Sequence, residues 1–442
     1  MNSKLYIETY GCQMNFSDSE IVGAILEHNK CTLIKDVEQA DIILINTCSI
    51  RENAENRIFH RLENLRHLKK KNPLLIIGVI GCMAERMKDD LIAKEPIVNI
   101  IAGPDSYRDL PKMIEMVKVS GQAVETLLSE EETYGEIMPV RIDSNGVSAF
   151  ISIMRGCENY CSYCVVPYTR GKERSRDPET IVNEATYLFN HGYKEITLLG
   201  QNVNSYHWEC ADGKMINFSS LIALVAKVSP TLRVRFSTSH PKDFSDELID
   251  TIASYDNICN FIHLPMQSGS TAVLKKMNRK YTREWYLDRI NAIKTRIPDC
   301  GLSTDIIAGF CGETEEDHQQ TLSMMKEVGY DSAFMFKYSE RPGTLAQRHF
   351  PNDVPEDVKS RRLEEIIDLQ QQSSLENNKK DVGKVFEVLV EGETKRSDKQ
   401  LFGRNSQNKV IIFDRAEIKA GDYVNVKVVD CTAATLMGEI VS

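Results

Sequence analysis

Residues 156–164 read GCENYCSYC and place three thiols, Cys157, Cys161 and Cys164, at the spacing Cys-x-x-x-Cys-x-x-Cys. Structural zinc sites use four thiolate or imidazole ligands, usually supplied by paired Cys-x-x-Cys units. No second pair lies nearby, and the nearest histidine downstream is His191. Three thiolates can instead hold three corners of a [4Fe–4S] cluster and leave its fourth iron open for chemistry. The spacing therefore predicts such a cluster, with zinc binding and inert packing as the alternatives.

This spacing also resembles that of the radical S-adenosylmethionine (SAM) superfamily. The resemblance implies that the amine and carboxylate of SAM fill the open iron. It also implies that an electron from the cluster breaks a C–S bond of the cofactor. The product would be a 5′-deoxyadenosyl radical, which can remove hydrogen from unactivated C–H bonds.

Length and composition set the class of protein. A chain of 442 residues allows two or three domains. It has no apolar run approaching the ~20 residues that span a bilayer, and its N-terminus lacks the apolar core of a signal peptide. We therefore expect a cytoplasmic protein with no membrane partner, in which twelve cysteines indicate metal or redox chemistry rather than disulfides. Because the formal net charge is −10, any binding of nucleic acid must depend on local basic patches.

The N-terminal part, residues 1–120, alternates strand and helix patterns. Apolar runs at 5–9, 41–46 and 74–80 predict buried strands, and the sequence Ser-Asp-Ser-Glu at 17–20 predicts a capping box that opens the first helix. This alternation predicts an α/β domain with a doubly wound parallel sheet.

Three further cysteines, Cys12, Cys48 and Cys82, each follow one of the predicted strands. The carboxyl ends of parallel strands share one edge of a sheet, and ligands bind at that edge. We therefore expect these thiols to meet in one crevice and to hold a second three-thiolate cluster. The alternative is three unrelated cysteines in strand-to-helix turns.

The remainder of the chain predicts two more domains. Residues 121–142 form a charged linker, which we expect to be solvated. Residues 143–376 hold six strand patterns alternating with helices, fewer than the eight that close a full barrel, and so predict an open, partial (β/α)6 barrel with Cys157 just after its first strand. Residues 377–442 hold five short runs rich in Val, Ile and Phe and separated by glycines. They predict a small antiparallel β-barrel of the oligonucleotide-binding type.

These three parts, in this order, resemble the methylthiotransferase family, which has an N-terminal cluster domain, a radical SAM core and a C-terminal TRAM domain. Its branch that modifies N(6)-dimethylallyladenosine in tRNA is the most similar. The matching motifs lie at residues 9–15, 46–51, 164–176, 263–269 and 338–344. One departure is Cys311, where the family usually has proline. We interpret it as a packing residue, together with the other cysteines outside the two triplets: Cys31, Cys210, Cys259, Cys300 and Cys431.

The resemblance implies a division of labour between two [4Fe–4S] clusters. Cys157, Cys161 and Cys164 would hold the cluster that cleaves SAM, and the other triplet an auxiliary cluster carrying a methylated sulfur. One SAM would be the methyl donor. Another would supply the radical that removes hydrogen from carbon 2 of the adenine at position 37 of tRNA. Both open irons must face one cavity, so we expect the edge of the N-terminal sheet to lie over the mouth of the barrel.

The implied partners are the anticodon loop of tRNA and an external electron donor such as flavodoxin or ferredoxin, and we expect a monomer. Two alternatives within the same class remain: threonylcarbamoyl-adenosine in other tRNAs, or an aspartate on a ribosomal protein. From a different class, the chain could be a non-catalytic RNA-binding protein whose metal sites are purely structural.

Polar residues at the predicted strand ends are the candidates for binding SAM, since ligands of such barrels lie there. The alternative for each is ordinary hydrogen bonding within a turn. The candidates are Gly200, Gln201, Asn202, Gln267, Ser303, Asp305 and Gly309.

Two basic stretches, at 170–176 and 275–283, are the candidates for binding RNA, although basic runs are often just solvated faces. The first follows the cysteine loop and would line a rim where a phosphate backbone could lie. The target base would have to leave its stack, which single-stranded loops such as the anticodon loop allow most cheaply. The candidates are Arg170, Lys172, Arg174, Arg176, Lys275, Lys276 and Arg279.

Overall fold

The computed structural model describes residues 2–48, 52–142, 145–395 and 397–441, with the backbone alone at 52–55. Part of the second family motif, Ser49 to Arg51, lies outside these residues. The described chain contains a six-stranded sheet, two three-stranded sheets, a closed five-stranded barrel and two small two-stranded pairs. The predicted α/β fold class, with its three parts, is confirmed.

The N-terminal unit is a parallel sheet with strand order β2-β1-β3-β4-β5-β6 and helices on both faces. Its central strands are buried on both faces because α1 and α4 cover one side and α2 and α3 the other. The strands are β1 (Ser3–Tyr10), β2 (Cys31–Leu33), β3 (Ile42–Thr47), β4 (Ile76–Gly81), β5 (Ile100–Ala102) and β6 (Ala123–Glu125). The helices are α1 (Gln13–His28), α2 (Glu52–Lys71), α3 (Cys82–Lys94) and α4 (Leu110–Ser120).

Two details of this unit differ from the sequence predictions. Helix α1 begins five residues earlier than expected, with Cys12 rather than Ser17 as its N-cap and Asn15 completing the capping box. The predicted linker is not a solvated connection either, because it contains β6, the buried ring of Tyr134, and Val140, whose N–H donates to the carbonyl of Glu20. Parts of residues 121–142 therefore pack against the N-terminal unit, while others, such as Leu127 and Glu130, are exposed.

The central unit is the predicted open barrel. Two parallel sheets, β13-β10-β7 and β14-β15-β16, are joined by a bridge between Val234 and Ile258, and β7 and β16 are the edge strands among the described residues. The six strands are β7 (Ser148–Ser152), β10 (Glu195–Leu199), β13 (Arg233–Phe236), β14 (Phe261–His263), β15 (Gly301–Ala308) and β16 (Ser332–Lys337). Two small antiparallel pairs were not predicted: β8 (Met154–Arg155) with β9 (Arg174–Ser175), and β11 (His207–Glu209) with β12 (Met215–Asn217).

Helices alternate with the barrel strands. They are α5 (Val166–Arg170), α6 (Pro178–Asn190), α7 (Phe218–Ala226), α8 (Asp246–Ser254), α9 (Thr271–Lys276), α10 (Arg283–Arg296), α11 (Glu315–Val328), α12 (Leu345–His349) and α13 (Glu356–Lys379). Two short ones, α5 and α12, lie beside the cysteine loop. Among the helices that the structure describes, none is both long enough and apolar enough to cross a bilayer.

The C-terminal unit is a closed barrel with strand order β17-β18-β19-β21-β20. It packs against the amino ends of the central strands, where Arg233 donates to the carbonyl of Arg404 (2.7 Å) and Arg235 to that of Asn405 (2.8 Å). The barrel is antiparallel except for one parallel pair, β19 with β21. Its strands are β17 (Val385–Thr394), β18 (Ser397–Arg404), β19 (Val410–Asp414), β20 (Tyr423–Cys431) and β21 (Leu436–Ile440).

Candidate metal centre

The cysteine loop of the central unit lies at the carboxyl end of its first strand and is held in a fixed shape by the segment that returns from α5. Gly156 has a φ of +80°, and a Cβ atom there would lie 1.8 Å from the carbonyl oxygen of Lys172. The N–H of Cys157 donates to the carbonyl of Gly171 (3.1 Å). Glycine is required at position 156 because the two backbone segments touch.

Each sulfur of this loop has a hydrogen-bond donor beside it. The guanidinium of Arg279 lies 3.3 Å from Cys161 Sγ, the N–H of Val166 lies 3.4 Å from Cys164 Sγ, and the amide of Asn159 lies 3.5 Å from Cys157 Sγ. Such donors stabilise negative charge on a ligand sulfur. Burial raises the pKa of Cys157 to about 11 and that of Cys164 above its usual range, so binding a metal must displace their protons.

The second triplet lies at the carboxyl edge of the N-terminal sheet, as predicted. Cys12 follows β1, Cys48 follows β3, and Cys82 is the first residue of α3 after β4. The strand order reverses between β1 and β3, which is the place where such sheets bind ligands. The segments that carry Cys12 and Cys48 pack closely, because a Cβ atom on Gly11 would lie 2.8 Å from the Cβ of Cys48.

Arg170 connects this triplet to the central unit. Its Nε donates to Cys82 Sγ (3.2 Å) and its Nη2 to Asp18 (2.7 Å), while its buried Nη1 has no hydrogen-bond partner among the described residues. A hydrogen bond with the Cys48 side chain and the positive charge of Arg170 lower the pKa of Cys12 to about 6. Burial raises the pKa of Cys82. An unpartnered buried N–H beside these thiols fits an anionic group held at that point.

A buried ionic network surrounds Arg170 and joins the two units. Arg155 pairs with Asp18 (2.8 Å), and Arg174 pairs with Asp105 (3.0 Å). The three guanidinium groups and two carboxylates leave a surplus of one positive charge. That surplus faces the thiols of the N-terminal triplet, where thiolate ligands would carry the opposite charge.

The two triplets lie at the same junction. Cys164 is two residues before α5, and the last residue of this helix is Arg170, which contacts Cys82. The helical rise of about 1.5 Å per residue makes this connection short, about 9 Å between Cys164 and Arg170. The edge of the N-terminal sheet thus lies over the mouth of the barrel, as the two-cluster hypothesis requires.

One acidic group away from the thiols also brings possible ligand atoms together. Glu315, His318 and Glu365 place three such atoms within 4.8 Å of one another. Arg361 pairs with both carboxylates of this group, so their negative charge is already partly compensated.

Unpartnered buried polar atoms lie at the carboxyl ends of the first three barrel strands. They are Ser152 Oγ, Gln201 Oε1, Ser239 Oγ and His240 Nε2. Burial lowers the pKa of His240, so its ring is neutral, and its Nδ1 accepts from the N–H of Lys242 (3.2 Å). The ring proton therefore belongs on Nε2. These four groups fit a polar ligand such as SAM in the barrel mouth.

Of these four residues, only Gln201 was among the sequence candidates. The positions of Ser152, Ser239 and His240 just after or at the end of a strand could have identified them. The other candidates have protein partners: the Asn202 side chain bonds to His240 and Asp243.

Close packing explains why glycine occupies the two candidate positions 200 and 309. A Cβ atom at Gly200 would meet Met154, and one at Gly309 would meet Lys359. The remaining three candidates have partners in neighbouring segments: Ser303 Oγ bonds to His263, and the backbone of Gln267 to that of Asp305. Ser303 and Asp305 lie within β15 rather than at its carboxyl end, where the prediction placed them.

The structure corrects the RNA prediction for four arginines. Arg170, Arg174, Arg176 and Arg279 are at most 6% exposed, and their guanidinium groups bind carboxylates, carbonyl groups or sulfur. They are not surface ligands for phosphate, because they are buried and bonded inside the protein. The three lysine candidates are exposed: Lys275, Lys276 and Lys172, the last of which pairs with Glu130 (2.8 Å).

Comparison with known families matches three segments of the chain. Residues 4–103 match the uncharacterized protein family UPF0004, residues 151–325 the radical SAM superfamily, and residues 379–441 the TRAM domain. The radical SAM match implies a [4Fe–4S] cluster and SAM, and the donors and unpartnered atoms described above fit both.

Two solved structures share the fold. One is the radical SAM methyltransferase TsrM from Kitasatospora setae with cobalamin and a [4Fe-4S] cluster bound (TM-score 0.56, 14% identity, 78% of this chain and 77% of that chain). The other is the apo form of OxsB, a cobalamin-dependent SAM radical enzyme (TM-score 0.57, 12% identity, 73% of this chain and 52% of that chain). At this level of identity the likeness is one of fold alone.

Full-length relatives are much more similar. The relative from Bacteroides thetaiotaomicron is 57% identical over 438 residues, covering 99% of this chain and 96% of its own length. Relatives from Amoebophilus asiaticus and Bacteroides fragilis are each 56% identical over 99% of this chain and cover 92% and 96% of their own lengths. All three are named tRNA-2-methylthio-N(6)-dimethylallyladenosine synthase. The chain therefore belongs to the tRNA-2-methylthio-N(6)-dimethylallyladenosine synthases, a branch of the methylthiotransferase family.

Proposed function

We propose that this protein is a radical SAM methylthiotransferase that adds a methylthio group to carbon 2 of N(6)-dimethylallyladenosine at position 37 of tRNA. The observation that carries the proposal is the meeting of two cysteine triplets at one junction, connected by Arg170. The names of the full-length relatives support this substrate over threonylcarbamoyl-adenosine or a ribosomal aspartate. The same names disfavour a non-catalytic protein with purely structural metal sites.

Two [4Fe–4S] clusters fit the thiols at this junction. Cys157, Cys161 and Cys164 would hold one, and Cys12, Cys48 and Cys82 the other. When bound, the clusters and SAM supply electron transfer, a carbon-centred radical and the sulfur and methyl groups. Radical chemistry is needed because carbon 2 of the adenine ring carries no leaving group.

The chain's own residues hold and orient these groups. Arg279 and Arg170 each donate a hydrogen bond to one ligand sulfur, Cys161 and Cys82 respectively. The unpartnered polar atoms of Ser152, Gln201, Ser239 and His240 would bind SAM in the barrel mouth.

The substrate must reach this junction with its adenine outside the stack, which suits an anticodon loop. The TRAM match supports a tRNA partner. We also propose an external electron donor of the flavodoxin or ferredoxin type, a monomeric state and a cytoplasmic location. Strand β6 and the buried Tyr134 favour assigning residues 121–142 to the N-terminal domain, with the radical SAM core at 143–376 and the TRAM domain at 377–442.

Iron analysis tests the two-cluster arrangement. Protein reconstituted under argon should bind ~8 irons per chain, and Cys157→Ala and Cys12→Ala should each retain about four. Cys210→Ser, outside both triplets, is the matched control and should bind the wild-type amount. A wild type with only four irons, or a content that survives loss of either triplet, contradicts the proposal. The substrate is tested by nucleoside mass spectrometry of tRNA from a deletion strain, which should accumulate N(6)-dimethylallyladenosine and recover its methylthio form on complementation.

A further inference from the structure

A cavity of about 400 Å³ opens at the same junction, between α3, α5 and the segment that leads into α12. Its lining includes Arg86 from α3, Tyr168 from α5, and Pro342, Gly343 and Arg348 from the third wall. The volume lies within the ~300–1,000 Å³ of typical small-ligand pockets. Pro342 and Gly343 belong to the motif at 338–344, to which the proposed chemistry gives no role.

Each wall of this cavity is fixed to the metal centre. Helix α3 begins at Cys82, and Arg86 lies one turn further along it. Helix α5 begins two residues after Cys164. Helix α12 is held against the cysteine loop because the N–H of Ala346 donates to the carbonyl of Ser162 (2.6 Å). A ligand in the cavity would therefore lie beside the place where the modified base must enter.

The lining combines positive charge with an exposed aromatic ring. Tyr168 is 37% exposed, and the guanidinium of Arg348 lies 5.7 Å above its ring. In the described part of the chain, no carboxylate pairs with Arg348. The acidic residue of the lining, Asp90, already pairs with Lys94 (2.7 Å). A second exposed ring, Tyr160, packs edge-on against Tyr168 at 6.5 Å.

Exposed aromatic rings beside arginines are the feature by which proteins bind single-stranded nucleic acid. Bases stack on the ring and arginine contacts the backbone. In a chain of net charge −10, an arginine without a carboxylate partner is a local attraction for phosphate. The buried arginines of the stretch 170–176 cannot supply that attraction.

We propose that this cavity binds a nucleotide of the RNA substrate that neighbours the modified adenosine, with its base stacked on Tyr168 and its phosphate paired with Arg348. This inference rests on the proposed function and adds the surface by which the substrate is held. Stacking tolerates every base, so the cavity contributes affinity and position rather than sequence identity.

The test is fluorescence anisotropy of the reconstituted full chain with an anticodon stem-loop RNA that contains N(6)-dimethylallyladenosine. Tyr168→Ala should weaken binding roughly 5- to 150-fold and leave its salt dependence unchanged, because it removes stacking and no charge. Arg348→Ala should weaken binding and reduce the slope of log Kd against log salt by about 0.7, the value for one lost contact to a single strand.

Two controls isolate the surface. Tyr168→Phe keeps the ring and should bind as the wild type does. Tyr187→Ala removes a tyrosine of similar exposure (43%) on α6, where it stacks on His191, and should also bind normally. Iron content is measured for every variant.

The outcomes separate the two proposals. If the wild type binds the stem-loop and both alanine variants with normal iron bind equally well, the cavity proposal is overturned. An equal loss in Tyr187→Ala overturns it too, because the effect is then not local. A wild type that does not bind the stem-loop overturns the proposed function, and the cavity proposal with it.

Discussion

Replacing Asp18 by asparagine tests the buried network that joins the N-terminal sheet to the barrel. The carboxylate of Asp18 accepts from Arg155 (2.8 Å), from Arg170 (2.7 Å) and from the hydroxyl of Tyr107 (3.3 Å). Burial opposes its charge, but the two guanidinium groups lower its pKa below the usual value. Asparagine has nearly the same shape, so the change removes charge without opening a cavity.

The expected loss in the free energy of unfolding follows from the burial of Asp18 and its partners. Removing one member of a buried ion pair costs ~3–5 kcal/mol, because the other charge is left uncompensated. Here one carboxylate serves two buried arginines, so we expect the upper end, about 5 kcal/mol. The surplus of positive charge in the network would rise from one to two. This cost is a large part of the ~5–15 kcal/mol that stabilises a typical domain.

The assay is urea unfolding of the apo protein under argon, followed by far-ultraviolet circular dichroism. Lys172→Met is the control, because it removes the exposed pair with Glu130 and should leave the midpoint unchanged. The double variant Asp18→Asn with Arg155→Met should recover part of the loss, since it removes one uncompensated charge. An Asp18→Asn protein as stable as the wild type, or a double variant whose losses simply add, would refute the reasoning.

Three further predictions follow from the same site and its surroundings. Arg279→Met should lower the reduction potential of the radical SAM cluster alone, and Arg170→Met that of the auxiliary cluster alone, because each change removes a positively charged donor to one ligand sulfur. Potentiometry followed by electron paramagnetic resonance measures both potentials. A shift of both clusters in either variant contradicts the prediction. Gly156→Ala should bind about four irons instead of about eight, because its Cβ would overlap the carbonyl of Lys172, and iron analysis that finds both clusters intact counts against it. Burial raises the pKa of Glu20 from 4.5 to about 7, so as pH rises the folded state keeps this proton to a higher pH than the unfolded state does. The free energy of unfolding should therefore fall between about pH 4.5 and 7, by on the order of 3 kcal/mol. Urea unfolding as a function of pH measures this slope, and Glu20→Gln should reduce it; a slope unchanged in the variant assigns it to other groups.

The positions of all six triplet cysteines relative to the strands could be predicted from the sequence. Apolar runs locate strands, and a parallel sheet brings the residues after its strands to one edge whatever their separation along the chain. Cys12, Cys48 and Cys82 meet for this reason. The same argument located Gln201, and it would have located Ser152 and His240 had every polar residue at a strand end been considered.

The basic stretch after the cysteine loop could not be interpreted from the sequence, because a run of arginines has the same pattern on a surface and in an interface. For two of its arginines, burial depends on carboxylates far away in the chain: Asp18 for Arg170 and Asp105 for Arg174. The third, Arg176, pairs with Glu184 on the next helix. Asp18 gave no sign of its buried role in the sequence, because residues 17–20 have the composition of a helix cap and predict an exposed helix start.

The misplaced helix start and the misassigned arginines have one physical cause. Helix α1 begins at the metal centre, with Cys12 as its N-cap, so the polar residues one turn later face the barrel rather than water. A buried carboxylate is stable there only because Arg155 and Arg170, which lie on either side of the cysteine loop, reach it. Those arginines are in turn stable only because the carboxylate is there. The two sequence segments therefore specify each other across the interface. Because Arg170 also contacts Cys82, the interaction that joins the two units also positions a thiol that we propose as a ligand of the auxiliary cluster.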